Sequence, residues 1–214
     1  MKTAIIIGSS GMVGTQLLDL LLISDEYSRI ISLVRRKSGI QHPKLNEYIV
    51  NFDKPESYKN LVKGDVLFSC MGTTLAQAKS KNNQYRVDFT YQYQVAETAA
   101  QNNVPVYVLV SSAGANAKSG AFYMQMKGKL DEAVSKLNFS SIQIIRPGQL
   151  YGLRSEKRIA EKLAIKIMFF LNKLGILNKY KPIHAREVAQ AMIVAAKNNS
   201  LHTYTLDEVF GLIK

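Results

Sequence analysis

The chain has 214 residues, of which 47% are hydrophobic and 21% charged, and this balance predicts one soluble domain with a full core. No apolar run reaches the roughly 18 residues of a membrane span, and residues 1–3 lead directly into a strand without a signal-peptide pattern. We therefore expect a cytoplasmic protein without a membrane span. The single cysteine, Cys70, excludes an internal disulfide framework, and with three scattered histidines it gives no metal-ligand spacing.

The net charge of +12 is concentrated in one segment. Residues 154–181 hold eight Lys and Arg against two Glu, which is half of the positive excess. Apolar and basic residues form separate stripes at helical spacing there. This pattern predicts a helix packed on the core with a solvated basic face, or a helix that docks a partner or a membrane surface. No nucleic-acid recognition motif accompanies the charge, so no nucleic-acid partner is expected.

The first motif along the chain is a strand, a glycine turn and a helix. Apolar residues 4–7 precede Gly8, Gly11 and Gly14, and the leucine-rich residues 17–22 follow. Gly8 would turn the chain off the strand, Gly11 would let a pyrophosphate approach the backbone, and Gly14 would let helix and strand pack closely. By itself this turn predicts only an anion site at the start of the helix.

A second apolar run, residues 30–34, ends in Arg35 and Arg36. In dinucleotide-binding folds an acidic residue here binds the ribose 2′-OH of NAD, whereas an arginine accommodates the 2′-phosphate of NADP. The pair therefore predicts NADP in preference to NAD. The alternative is a solvated basic turn.

Two further strands carry candidate cofactor contacts at their ends. Asp53 follows residues 48–52, where its carboxylate could accept the adenine amino group or could serve as a turn former or helix cap. Residues 66–70 run into Met71 and Gly72, which begin a small-residue turn suited to lie against a flat ligand. Cys70 is interpreted as a buried apolar residue rather than a nucleophile.

The remaining pattern predicts the fold. Strands at 106–110 and 142–145 alternate with helices at 83–102 and 122–137. Six mostly continuous apolar strands separated by helices predict a doubly wound parallel α/β sheet, the Rossmann fold. Residues 149–214 are predicted to add a small helical substrate cap to this single domain, with a helix at 185–197 and a short strand at 204–206. His184 is interpreted as a capping or core-edge residue in preference to a site residue.

Three side chains suggest catalysis. Ser112 follows the fifth strand, and Tyr123 and Lys127 lie four residues apart on one face of the next helix. Ligands of doubly wound sheets bind beyond the carboxyl ends of the strands, so these side chains should converge where a nicotinamide would lie. The ammonium of Lys127 would favour the phenolate of Tyr123 and could hold the nicotinamide ribose, while Ser112 would orient the substrate oxygen. The alternative is an amphipathic helix with a surface Tyr and Lys.

In this order the motifs resemble the short-chain dehydrogenase/reductase superfamily. Segments 70–74, 87–88, 111–115 and 122–128 look like its atypical branch, which contains the HIV Tat-interacting oxidoreductase. The resemblance covers nearly the whole chain and implies an NADPH-binding Rossmann domain with Tyr123 as proton acceptor. The cofactor contacts that it implies are Ser10, Gly11, Met12, Val13, Arg35, Arg36, Met71, Gly72 and Lys127.

Two functions remain open from the sequence. The first is an NADP-dependent oxidoreductase that moves a hydride between nicotinamide and a small carbonyl or alcohol. The second is a catalytically weak NADPH-binding sensor that acts through a protein partner, and a homodimer is equally open. An isomerising or dehydrating enzyme is also compatible, although the short C-terminal part argues against large nucleotide-sugar substrates.

Overall fold

The computed structural model describes residues 1–152 and 181–213. Its main sheet has seven parallel strands in the order β3-β2-β1-β4-β5-β6-β9. A second sheet pairs the short strands β7 and β8. The strands are β1 Lys2–Ile7, β2 Tyr27–Val34, β3 Leu45–Ile49, β4 Val66–Ser69, β5 Val106–Val110, β6 Ser141–Arg146, β7 Leu150–Tyr151, β8 Ile183–His184 and β9 Leu201–Thr205. The predicted doubly wound α/β sheet is confirmed.

Helices cover both faces of the main sheet. They are α1 Met12–Ile23, α2 Leu75–Ala78, α3 Lys81–Tyr85, α4 Gln92–Gln101, α5 Phe122–Val134, α6 Ala185–Ala195 and α7 Asp207–Gly211, with a 3₁₀ helix at Pro55–Ser57. A π-helix, Arg86–Tyr91, joins α3 directly to α4. The helix predicted at 83–102 therefore exists, but its hydrogen-bonding pattern changes in its first half.

The central strand β1 shows why both faces are covered. Ala4 and Ile6 point to one apolar layer, and Ile5 and Ile7 point to the other, all with no solvent exposure. The first layer is built by α1 and α6, the second by α4 and α5. Because a parallel strand buries both faces, it appears in the sequence as a continuous apolar run rather than an alternating one.

Strand β3 differs from its prediction. It runs over Leu45–Ile49 and pairs with residues 30–34 of β2, whereas the sequence placed it at 48–52. Phe52 is buried beyond the strand, with its ring 6.0 Å from that of Tyr58 and 5.6 Å from that of Tyr91. Phe52 is thus buried because its ring packs against Tyr58 and Tyr91, and it does not belong to a strand. The prediction that helices separate all strands is also wrong here, because the described connections on either side of β3 contain no α-helix.

The C-terminal part contributes to the main layers. Strand β9 lies beside β6 at the sheet edge, and α6 packs on α1. The strand ends at Thr205, earlier than predicted, because Leu206 has a φ of +42°. The basic stripes predicted within 154–181 lie outside the described residues, apart from Lys181. Among residues 1–152 and 181–213, no helix combines the length and apolar composition that crossing a membrane requires.

Candidate cofactor and active site

The glycine turn is packed against the neighbouring strand. Gly8 has a φ of +79°, and a Cβ there would lie 2.5 Å from the carbonyl carbon of Cys70 and from the nitrogen of Met71. A Cβ on Gly14 would overlap the carbonyl oxygen of Gly8. Side chains are thus excluded at both positions, and the start of α1 lies directly on the end of β1.

Hydrogen bonds fix which parts of the turn face outward. The Gly11 N–H donates to the Gly8 carbonyl at 3.0 Å, and the Ser32 hydroxyl donates to the Ser9 hydroxyl at 2.8 Å in the interior. Ser9 therefore points inward, whereas Ser10 and Gly11 are exposed. Helix α1 begins at Met12 with Gly11 as its N-cap, and no side chain caps it. The backbone N–H groups of its first turn, including Val13, fit the phosphate groups of a dinucleotide.

The two arginines lie where β2 ends. Arg35 and Arg36 are exposed, and neither forms an ion pair with a carboxylate in the described part of the chain. Arg35 lies near enough to Tyr91 for its charge to oppose the rise that burial causes in the pKa of that phenol. As far as the described residues show, both guanidinium groups face solvent and could bind an external anion.

Asp53 lies in a turn four residues beyond β3 and is held by side chains of the π-helix. Its Oδ1 accepts hydrogen bonds from Arg86 Nε at 2.6 Å and from the Tyr91 hydroxyl at 2.8 Å. The hydrogen bond from Arg86 holds the pKa of Asp53 below its usual value. An adenine amino group that donated to this carboxylate would therefore compete with Arg86 and Tyr91, which already donate to it.

The turn that starts at Met71 lies beside the glycine turn. Strand β4 ends at Ser69, and the Cys70 N–H donates to the Ile7 carbonyl at 2.9 Å. Beyond Gly72, the Thr73 N–H donates to Asp88 Oδ2 at 2.8 Å. The Met71–Gly72 turn is therefore anchored to β1 at one end and to the π-helix at the other.

Helix α5 positions Tyr123 and Lys127 against the serine loop. Tyr123 lies in the first turn of α5 with 36% exposure, whereas Lys127, one turn later, is only 3% exposed. A Cβ on Gly128 would overlap the backbone of Asn116 and Ala117, so α5 lies directly on the loop that follows Ser112. Ser112 is half-buried, and within residues 1–152 and 181–213 its hydroxyl makes only a long 3.4 Å contact with the Ala113 carbonyl. Ser112 therefore follows the carboxyl end of β5, and the helix that carries Tyr123 and Lys127 packs on the loop that begins there.

A buried ion pair between Lys127 and Asp88 was missed from the sequence. Lys127 Nζ lies 3.8 Å from Asp88 Oδ1, and both side chains are almost completely buried. Burial raises the pKa of Asp88, while Lys127 and the Thr73 N–H oppose that rise. In the sequence, residue 88 served only as part of the family resemblance. Nothing in the local sequence shows that a π-helix turns its side chain towards Lys127.

A second buried carboxylate, Asp131, lies on α5 one turn beyond Lys127. Asp131 Oδ2 accepts hydrogen bonds from the Ser111 hydroxyl at 2.9 Å and from Arg146 Nε at 2.8 Å. Burial raises the pKa of Asp131, and the contacts with Ser111 and Arg146 oppose this. Arg146, at the end of β6, thus ties α5 to the sheet.

Two other residues singled out in the sequence have structural roles. Burial raises the pKa of the Cys70 thiol, whose sulfur lies 3.7 Å from that of Met192. This agrees with an inert apolar residue rather than a nucleophile. His184 is the N-cap of α6, where its Nδ1 accepts the Arg186 N–H and Glu187 completes a capping box. The capping interpretation of His184 is confirmed.

The parallel sheet, the glycine turn and the helix that carries Tyr123 and Lys127 define an atypical short-chain dehydrogenase/reductase with an NAD(P)-binding Rossmann fold. A family model described as HIM1 matches residues 38–181, and the chain belongs to the HIM1 family. This confirms the resemblance drawn from the motifs.

Named relatives support the same assignment. The chain is 32% identical to Protein FMP52-1, mitochondrial, of Scheffersomyces stipitis, over 92% of this chain and 89% of the relative. It is 36% identical to Protein fmp52, mitochondrial, of Emericella nidulans, over 82% of this chain and 77% of that protein. It is 34% identical to Protein HTATIP2 of Rattus norvegicus, over 77% of this chain and 69% of that protein.

Solved structures support the fold alone. The Bordetella bronchiseptica enzyme WbmH, solved in complex with NAD+, superposes with a TM-score of 0.73 at 15% identity, covering 96% of this chain and 76% of that one. A short-chain dehydrogenase/reductase superfamily protein of Agrobacterium tumefaciens with bound NAD gives a TM-score of 0.70 at 11% identity, covering 94% and 76%.

The relatives correct the predicted localisation. The expectation of a cytoplasmic protein is wrong, because the FMP52 relatives in three fungi are named mitochondrial proteins. The expectation rested on the absence of a signal-peptide pattern and of an apolar span, and neither feature reports on targeting to an organelle.

Proposed function

We propose that the chain is an NADP-dependent oxidoreductase that acts on a small carbonyl or alcohol. The observation that carries this proposal is the buried, charge-compensated Lys127 one helical turn from the half-exposed Tyr123. Burying an ammonium and a carboxylate has a large desolvation cost, so a purely structural helix would gain little from this pair. An ammonium that approaches the phenol one helical turn away would have a clear chemical use, because it would favour the phenolate.

Each of the three side chains has a distinct role in carbonyl reduction. When NADPH is bound, its reduced nicotinamide would supply a hydride to the carbonyl carbon. Tyr123 donates its phenolic proton to the carbonyl oxygen, and the ammonium of Lys127 stabilises the phenolate that remains. The Ser112 hydroxyl donates a hydrogen bond to the same oxygen and stabilises the charge that develops on it. In alcohol oxidation the same groups act in reverse.

The cofactor would lie along the carboxyl edge of the sheet. Its pyrophosphate would contact the turn at Ser10 and Gly11 and the first N–H groups of α1 at Met12 and Val13, while Gly8 and Gly14 would shape the turn around it. The nicotinamide end would lie near Met71 and Gly72, with Lys127 on its ribose. Asp53 would lie at the adenine end, where it is already bound to Arg86 and Tyr91.

The preference for NADP rests on Arg35 and Arg36. A charge-assisted hydrogen bond contributes roughly 1.5 to 3 kcal/mol, so one or two such contacts to the 2′-phosphate would favour NADPH over NADH by about 10- to 100-fold or more. Parallel titration of NADPH and NADH tests this directly. Equal dissociation constants for the two cofactors would overturn the preference.

Turnover decides between the enzyme and the sensor. Oxidation of NADPH with a panel of small aldehydes and ketones is expected for the enzyme. NADPH binding without turnover of any of them, together with a partner captured only in the presence of NADPH, would support the sensor.

We also propose that residues 1–214 form one domain. Its support is that β9 and α6, from the C-terminal part, belong to the sheet and to the layer that α1 builds. The substrate cap at 149–214 stays a prediction, because residues 153–180 lie outside the described part of the chain.

A further inference from the structure

We propose that Arg86 is a further residue that determines the preference for NADP, because it neutralises the charge of Asp53 beside the arginines expected to bind the 2′-phosphate. The proposal rests on the proposed function for the identity of the cofactor, and it is tested by binding alone. It assigns a task to a residue of the π-helix that belongs neither to the glycine turn nor to the arginine pair after β2.

Backbone pairing brings Asp53 to the same corner of the sheet as Arg35. The Val50 N–H donates to the Val34 carbonyl at 2.9 Å, directly after the last residue pair of β2 and β3. Arg35 follows Val34 in the chain, and Asp53 follows Val50 by three residues. Tyr91 connects the two side chains, because its hydroxyl donates to Asp53 at 2.8 Å and the charge of Arg35 opposes the rise in its pKa.

A bare carboxylate at this corner would disfavour NADPH. The 2′-phosphate carries a charge of about −1.5 to −2 at neutral pH, whereas NADH has a neutral hydroxyl at the same position. An ionised Asp53 would repel that phosphate and would leave NADH unaffected. By itself it would therefore oppose the preference that Arg35 and Arg36 are expected to create.

Arg86 compensates this charge directly. Its Nε donates to Asp53 Oδ1 at 2.6 Å, and its Nη2 contacts the same oxygen. The guanidinium carbon lies 5.7 Å from the centre of the Tyr91 ring, within the range of a cation–π contact. The Tyr91 ring packs in turn on the buried Phe52, with 5.6 Å between the ring centres. Arg86 is thus held by both an ion pair and an aromatic ring, and the pair that it forms with Asp53 has no net charge.

Removal of Arg86 would also free Asp53 for a hydrogen bond from adenine. The adenine amino group is present in NADH and in NADPH, so this effect would change the two affinities equally. Loss of the neutralising charge would instead weaken NADPH alone. The ratio of the two affinities, rather than either affinity by itself, therefore reports the proposed role.

A charge cycle at positions 86 and 53 tests the proposal. Fluorescence titration with NADPH and with NADH at low salt is carried out on the full-length wild type, Arg86→Gln, Asp53→Asn and the double variant. Arg86→Gln is expected to lower the preference for NADPH by about 2- to 10-fold, since interactions between exposed charges are modest. This loss should shrink as salt is added. Asp53→Asn should raise the preference, because it leaves the guanidinium unpaired.

The double variant decides the mechanism. It has no net charge at the two positions, like the wild type, and should therefore recover the wild-type preference. A double variant with the same loss as Arg86→Gln would show that the guanidinium binds the phosphate directly, and this would overturn neutralisation. An unchanged preference in Arg86→Gln would overturn the proposal as well.

Lys2→Gln is the matched control. Lys2 also forms an exposed ion pair, with Glu26 at 2.8 Å, but it lies at the amino end of β1, away from the glycine turn. Its replacement should leave the preference for NADPH unchanged. A wild type that prefers NADPH, with the same preference in every variant, would overturn this proposal alone. A wild type that binds neither cofactor would overturn the proposed function and this proposal with it.

Discussion

Gly14 lies so close to Gly8 that a methyl group on its α-carbon would overlap the Gly8 carbonyl oxygen. The same carbonyl accepts the Gly11 N–H at 3.0 Å, so the contact fixes the whole turn and not only one residue. The geometry of the glycine turn therefore depends on the absence of a Cβ at positions 8 and 14.

The first prediction concerns this contact. Gly14→Ala should force α1 away from β1 and lower the free energy of unfolding by about 1 to 3 kcal/mol, the usual cost of overpacking. It should also weaken NADPH binding, because the first turn of α1 moves with the helix. Urea unfolding and fluorescence titration measure the two effects. Gly211→Ala is the control, because a Cβ there meets no atom within 4 Å. Equal behaviour of the two variants would contradict the described packing.

The second prediction concerns cofactor preference. Replacing Arg35 and Arg36 together by glutamine should raise the dissociation constant of NADPH by about 10- to 100-fold and leave that of NADH nearly unchanged, because only NADPH carries the 2′-phosphate. The preference of the wild type should also weaken as salt is added. Arg29→Gln is the control, since Arg29 is exposed on β2 but donates hydrogen bonds to Asn46 and Tyr48. A parallel loss of NADH affinity would indicate a general effect on the fold.

The third prediction concerns alkaline pH. Burial raises the pKa of Tyr58 to about 12, and the side chain is fully buried in the layer of α4 and α5. In the unfolded chain a tyrosine ionises near pH 10, so the unfolded state loses its proton first as the pH rises. The contribution of Tyr58 to stability is therefore complete below about pH 10 and is lost towards pH 12, by up to about 1.4 kcal/mol per pH unit.

Tyr58→Phe tests this prediction. Phenylalanine has no proton to lose, so the decline of unfolding free energy between pH 10 and 12 should be less steep in the variant. The buried tyrosines Tyr27 and Tyr107, whose pKa values are also raised by burial, remain in both proteins. Urea midpoints measured at pH 7 and at pH 11 give the comparison. Identical slopes for the two proteins would show that Tyr58 is not the group responsible.

Buried strands were predictable from the sequence, whereas the sheet edge was not. The core of β1, residues 4–7, is continuously apolar because both of its faces pack against helices. Edge strand β3 contains Asn46 and Glu47 and is mostly half-exposed, so its pattern is weak. The nearby buried Phe52 gave a stronger apolar signal, which moved the predicted strand three residues towards the C-terminus.

The residues of the candidate site were also predictable only in part. Motif spacing was enough to select Ser112, Tyr123 and Lys127, because each follows a strand end or lies at helical spacing. It did not reveal Asp88, because an α-helix and a π-helix cannot be told apart in a short polar segment. In the structure, Asp88 lies within the π-helix and its carboxylate contacts Lys127.

The proposed function is tested most directly by NADPH oxidation by the wild type and by Tyr123→Phe with the same small carbonyl compounds. We expect the wild type to form one alcohol for each NADPH consumed. We expect Tyr123→Phe to be slower by about 100- to 10,000-fold while it still binds NADPH, because only the proton donor is lost. Undiminished turnover in Tyr123→Phe, or no turnover by wild type with bound NADPH, would contradict the proposed oxidoreductase activity.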